Sequence, residues 1–193
     1  MNVARTLDAV VIGGSAGSVT ALASILPQLP ADFAPVLVVV HVLRSHPSLL
    51  AELYANSCAM RVKEAELFEP ITAGTIYFAP ADYHLLVEPD RRCSLSIEAP
   101  VLFSRPAIDV LFESAANAYG AGLVGIVLSG SSSDGAEGLQ SIHQAGGRTM
   151  IQDHTTAEAR TMPTAALAAV PSARVLPVSA MASELLAYRE SNR

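Results

Sequence analysis

The sequence has little cysteine and little charge. Its two cysteines, Cys58 and Cys93, form no C-x-x-C pair and have no histidines at ligand spacing. Zinc-finger and redox-motif readings drop out, and both thiols are read as reduced, in a cytosolic protein. Charged residues make up 16% of the chain, against about 25% in an ordinary soluble protein. No basic run is longer than Arg91-Arg92, and 12 Lys+Arg against 18 Asp+Glu leave a net charge of −6. A row of phosphates would find no partner, so nucleic-acid binding is not expected. No apolar stretch approaches the roughly 20 residues of a bilayer helix, and the residues ahead of Ala9 lack the apolar core of a signal peptide. The expectation is a cytoplasmic chain with no direct membrane insertion, no metal and no cofactor.

What the chain has is material for a core. Apolar residues are 51% of its 193, and at this length a single domain buries roughly 70% of its unfolded surface without disulfides or metals. No internal repeat, low-complexity tract or linker interrupts it, so 1–193 is read as one domain.

Val10-Val11-Ile12 ends in Gly13-Gly14, and Val19, Leu22, Ala23 and Leu26 then recur at helical spacing up to Pro27. This predicts a buried strand, a tight turn and a helix. The run from Pro35 to Val40 is apolar without alternation, as in a parallel strand covered on both faces, and stops at His41. A helix is predicted over 48–56 and a short strand at 60–62. Between 75 and 97 the pattern changes to Tyr77-Phe78, Leu85-Leu86-Val87 and Leu95-Ser96-Ile97, with a turn at Pro89-Asp90. That predicts an antiparallel hairpin appended to an otherwise parallel sheet.

Pro106 opens a helix with Ile108, Leu111, Phe112 and Ala115 on one face, which Gly120 closes. Leu123 to Leu128 is a second all-apolar strand, followed by a polar loop containing Asp134. A helix over 136–145, a strand at 149–151, a helix over 163–169, a strand at 175–176 and a terminal helix complete the pattern. The fold class is α/β: a doubly wound, mostly parallel sheet flanked by helices, with the hairpin added. In such sheets the loops after the parallel strands share one edge, where ligands bind.

The loops after the three strongest strands contain Ser15, His41 and Asp134. Gly13-Gly14-Ser15-Ala16-Gly17 matches G-x-S-x-G between a strand and a helix, the setting in which a sharp turn exposes a serine hydroxyl. The helix beyond it directs free N–H groups at an oxyanion. His41 would serve as base, and Asp134 would hold its tautomer and stabilise the imidazolium. Each residue also has an ordinary reading. A glycine-rich turn can cradle a phosphate, but the dinucleotide fingerprint needs glycines where Ser15 and Ser18 stand, and a P-loop needs a lysine that the glycine-rich turns lack. His41 alone reads equally as a core histidine, and Asp134 before Gly135 as a helix N-cap. Their shared sheet edge is what joins them. A second triad, Ser15, Asp134 and His154, has the chain order of α/β-hydrolases, although only one strand precedes Ser15 where those enzymes place several. His46 lies in a loop before a proline, His143 on a helix where solvent is expected, and His84 enters the hairpin, facing either the site or the core.

Several stretches together resemble the catalytic domain of the chemotaxis methylesterase CheB family. They are Ile12 to Gly17, the strand ending in His41, Tyr77 to His84, Arg105 to Phe112, Leu128 to Gly138, Gln152-Asp153 and Met162-Pro163, running in order from about Ala9 to Leu186. The resemblance implies a protein-glutamate methylesterase that hydrolyses glutamate methyl esters on chemoreceptors or related signalling proteins, and often deamidates receptor glutamines. Motif by motif it places the nucleophile at Ser15, the base at His41 and the orienting carboxylate at Asp134. It gives oxyanion and substrate-positioning roles to Ala16, Gly17 and Ser131. Two positions depart from the family: Ala16 stands where threonine is common, and Ser131 where methionine is common. They motivate an alternative, a catalytically weak regulatory or binding module with the same fold. The family usually carries an N-terminal receiver domain. About eight residues precede the first strand here, so phosphorylation control within this chain is not expected, and a separate response-regulator or histidine-kinase component would supply regulation.

Overall fold

The computed structural model describes residues 6–41 and 49–190. The chain runs β1 (Ala9–Gly14), α1 (Ser18–Ile25) with a 3-10 turn at Leu26–Gln28, β2 (Val36–Val40), α2 (Leu50–Ala55), β3 (Arg61–Glu64), β4 (Thr75–Phe78), β5 (His84–Val87) and β6 (Cys93–Ser96). It continues through α3 (Ile108–Tyr119), β7 (Leu123–Val127), α4 (Ala136–Gln144), β8 (Arg148–Gln152), α5 (Thr161–Ala169), β9 (Arg174–Leu176) and α6 (Val178–Glu190).

Seven strands pair in the order β3-β4-β2-β1-β7-β8-β9, all parallel. β1, β2 and β7 are buried along their whole length, which is why they read as unbroken apolar runs. Alternate residues of β1 feed two different cores. Ala9 and Val11 pack with Ile108, Leu111 and Phe112 on one face, whereas Val10 and Ile12 pack with Leu22, Ile25, Met181 and Leu185 on the other. A slip of one residue would exchange these sets. With each buried aliphatic side chain worth roughly 1.5–3 kcal/mol, the register of β1 is firmly held, and with it the position of the turn that follows.

The hairpin β5–β6 is antiparallel, with His84 opposite Ser96 and Val87 opposite Cys93, and forms its own two-stranded sheet. Tyr77-Phe78, which shares the pattern of the hairpin in sequence, belongs to β4 inside the main sheet. The second hairpin strand starts earlier than the apolar residues suggest, at Cys93, and leaves Ile97 exposed. The helix expected over 48–56 is found at Leu50–Ala55, its expected first residue lying outside the described residues.

From β1 the chain moves to β2 on one side, and it later returns through the hairpin and α3 to β7 on the other. The order of the sheet therefore reverses between β1 and β7, and a crevice opens beyond their carboxyl ends.

Candidate active site

The turn after β1 is tied down on both sides. The Ser15 N–H donates to the Ser129 carbonyl at 2.9 Å, and the Ser18 N–H and hydroxyl donate to the Ser15 carbonyl at 3.0 and 2.6 Å. The Ser129 hydroxyl donates to the Ala16 carbonyl at 2.6 Å. Gly17 enters α1 with φ 80°, a left-handed conformation that costs a side-chain-bearing residue energy. Among the described residues the N–H groups of Ala16 and Gly17 meet no acceptor, so they are available, at the positive end of α1, to an oxyanion formed at half-buried Ser15.

The His41 N–H donates to the Gly14 carbonyl at 3.0 Å, which fastens the end of β2 to the residue before Ser15. Its ring Nε2 lies 2.7 Å from Asp134 Oδ2, with the two side chains 11% and 0% exposed. In the neutral ring Nε2–H donates to the carboxylate, and Nδ1 keeps the lone pair. The same Oδ2 accepts the Ile108 N–H at 2.7 Å, and Oδ1 accepts the Asp109 N–H at 2.9 Å. These are the first two donors of α3. Asp134 thus does cap a helix, but not α4, which it precedes. Burial pushes its pKa up; the His41 hydrogen bond and the two backbone donors outweigh this and hold it below the usual carboxylate range.

Glycine at 13 makes this approach possible. A Cβ there would lie 2.3 Å from Ile108 Cγ2, so only a residue without one lets α3 begin against the end of β1.

Sequence reasoning gave no role to Asp109, Arg105 or Gln152, which hold this geometry, and left His84 facing either the site or the core. Asp109 Oδ1 accepts the N–H groups of Gly135 at 2.9 Å and Gly138 at 2.7 Å. Burial raises the pKa of its carboxyl to about 7, with the charge of Asp134 adding to the rise and the two backbone donors opposing it. His84 is buried and belongs to the packing: Nδ1 accepts the Ala107 N–H and Nε2–H donates to the Ala99 carbonyl, both at 3.1 Å. Arg105 donates to Asp82 and to the carbonyls of Ile97 and Glu98. Gln152 Oε1 accepts the Ser129 N–H at 2.9 Å. The legible signal was that Asp109 and Arg105 lie in the Arg105-to-Phe112 stretch, His84 in Tyr77 to His84 and Gln152 in Gln152-Asp153.

Of the remaining candidates, Ser131 is exposed, and among the described residues its side chain makes no hydrogen bond. Among the described residues Asp134 is bound by His41 and α3 and makes no hydrogen bond with His154, so the structure does not bring the Ser15, Asp134, His154 arrangement together. His143 is exposed on α4, 3.5 Å from the Ser172 hydroxyl. His46 lies outside the described residues. Beside the Ser15 turn, a cavity of about 410 Å³ is lined by Gly17, Thr20, Ser24, Gln152, Glu158 and Ser179.

Residues 10–185 match the family model described as CheB methylesterase. A relative from Leptospira interrogans (strain Fiocruz L1-130) is 41% identical over 186 residues, covering 96% of each chain. A protein-glutamate methylesterase/protein-glutamine glutaminase of Symbiobacterium thermophilum is 38% identical over 177 residues, which span 91% of this chain and 49% of that protein. The chain therefore spans nearly the whole of the first and about half of the second. The crystal structure of the Thermotoga maritima CheB methylesterase catalytic domain superposes with a TM-score of 0.88 at 30% identity, over 93% of this chain and 97% of that one.

Proposed function

The chain belongs to the CheB methylesterase family, and from that premise we propose that it hydrolyses glutamate methyl esters on a chemoreceptor or another methylated signalling protein. Ser15 is the nucleophile, His41 the general base and Asp134 the orienting carboxylate. The observation that carries this reading is the 2.7 Å contact of His41 Nε2, just beyond the end of β2, with buried Asp134, in the loop after β7, both strands flanking β1 and the Ser15 turn.

His41 Nδ1 takes the proton of the Ser15 hydroxyl as Oγ attacks the ester carbonyl. The tetrahedral oxyanion is met by the N–H groups at the start of α1, Ala16 and Gly17 among them. Collapse expels methanol, protonated by His41, and leaves a glutamyl ester on Ser15. Water, deprotonated by His41, then releases glutamate. Asp134 keeps Nδ1 free of a proton in the resting enzyme and stabilises the imidazolium in both steps. The same acyl transfer with ammonia as leaving group would deamidate glutamine. Ala16 takes part through its backbone, so the absence of a threonine side chain leaves these donors in place.

We place the protein in the cytoplasm, a setting that suits its free Cys58 and Cys93. Regulation by a separate response-regulator or histidine-kinase component fits the same setting. The test is methanol release from a chemoreceptor cytoplasmic fragment carrying glutamate methyl esters. Wild type should release methanol and Ser15→Ala should release none while unfolding at the same temperature. Activity retained by Ser15→Ala would overturn the assignment.

A further inference from the structure

We propose that Asp109 is a positioning residue for the catalytic pair, holding the Asp134 loop against α3 and placing a second carboxylate behind the Asp134–His41 contact. The inference rests on the active site proposed above.

Helices α3 and α4 exchange their caps. Asp134, ahead of α4, binds the first two N–H groups of α3, and Asp109, the second residue of α3, binds the Gly135 and Gly138 N–H groups of α4. Asp109 therefore grips the loop twice: its N–H holds the Asp134 side chain, and its carboxylate holds the residue next to Asp134. Turning Asp134 away from His41 would strand buried donors, since Asp109 is 6% exposed and Asp134 fully buried. The Asp109 side chain reaches neither His41 nor Ser15 by a hydrogen bond, so its action passes through Asp134.

Its charge acts in the same direction as its grip. Burial raises the pKa of its carboxyl to about 7, so above that pH Asp109 carries its charge and adds negative potential where His41 becomes an imidazolium during the reaction. The titratable groups around it are few. Asp134 comes from the loop, Glu137 from the first turn of α4 and Glu113 from the next turn of α3. Burial, with Glu137 and Asp134, raises the pKa of Glu113 as well. His84 comes from β5, and the strands β1, β2 and β7 under α3 contribute none.

Two variants of the full chain separate grip from charge. Asp109→Asn keeps an oxygen for Gly135 and Gly138 and loses the charge, and Asp109→Ala loses both. With the methylated receptor fragment as substrate, Asp109→Asn should keep KM, and its kcat should fall by roughly three- to ten-fold at pH 8, where the wild-type carboxyl is ionised, and by less at pH 6, where it is protonated. Asp109→Ala should lose kcat by roughly 10–100-fold at unchanged KM. In the resting wild type the NMR signals of the His41 ring should register the ionisation of Asp109 near pH 7, a step that Asp109→Asn lacks. That readout needs no turnover, so a wild type that released no methanol would defeat the functional reading and still leave this one measured. A folded Asp109→Asn whose His41 ring signals follow the same course across pH 7 as wild type would overturn the proposal. So would loss of folding in both variants, which would make Asp109 a residue of stability alone.

Discussion

Replacing Asp134 tests the capping and the catalytic roles of one carboxylate separately. In Asp134→Ala the N–H groups of Ile108 and Asp109 lose their acceptor. Both residues are buried, and each stranded donor costs about 1–3 kcal/mol, so the variant should lose about 2–6 kcal/mol. Against a total of about 5–15 kcal/mol for a domain, that is a large share, equivalent to roughly 5–20 °C in Tm. Asp134→Asn keeps one acceptor and should lose about 1–3 kcal/mol. Its chemistry should suffer out of proportion. An amide NH2 facing Nε2 favours the tautomer protonated on Nδ1, which aims a proton, in place of a lone pair, toward Ser15. Methanol release should then fall by on the order of 10³–10⁴. Urea unfolding monitored by circular dichroism gives the first quantity, and a methanol assay on the methylated receptor fragment the second. An Asp134→Ala protein within 1 kcal/mol of wild type would refute the account of α3 capping. An Asp134→Asn protein with more than about a tenth of wild-type activity would refute the tautomer argument.

Gly17→Ala should destabilise by about 1–3 kcal/mol and depress kcat, because a Cβ at φ 80° would sit 2.7 Å from Glu158 Cβ and 2.9 Å from Ser129 Oγ; normal stability and rate would mean that the turn accommodates it. The pH dependence of stability tests Asp109. Its folded pKa of about 7 lies above the unfolded value of about 3.9, so its stabilising contribution is complete below about pH 4 and is lost as pH rises through 7. Up to about 4 kcal/mol is involved. Urea unfolding at pH 5.5 and 8 should show a loss in wild type that Asp109→Asn lacks, and parallel behaviour of the two proteins would contradict the assignment. Asp134 has the opposite sign. Its depressed pKa contributes stability above the unfolded value that is lost on acidification through the folded one.

The central strands were legible because burial on both faces leaves no alternation to misread. Val36–Val40 and Leu123–Val127 could be little else. The boundaries of α3 were legible for a different reason, since Pro106 and Gly120 act locally. The hairpin was legible too, but the place of Tyr77-Phe78 was not. Thr75–Phe78 and His84–Val87 are both four residues long and mostly buried, yet one enters the main sheet and the other pairs only with Cys93–Ser96. The difference lies in the partners, which are set by long-range packing that a four-residue pattern does not encode.

Ser15, His41 and Asp134 were legible as candidates because the fold class places the ends of β1, β2 and β7 on one edge. The ring nitrogen that faces the carboxylate was not, because either tautomer suits the same sequence. Asp109 was hidden by an ordinary signal. An acid in the first turn of a helix is favoured by the helix dipole wherever it occurs, and Glu52 and Glu137 stand at similar places on α2 and α4. Burial and direction set Asp109 apart: its carboxylate serves the neighbouring helix. The exchange has an energetic consequence that separate caps would not have. With each helix holding its own acid, α3 and α4 could shift against one another at the cost of apolar contacts alone. With the acids exchanged, a shift strands buried N–H groups at both helices, each worth about 1–3 kcal/mol. The orientation of Asp134 toward His41 is therefore bound to the packing of two helices, neither of which carries the nucleophile or the base.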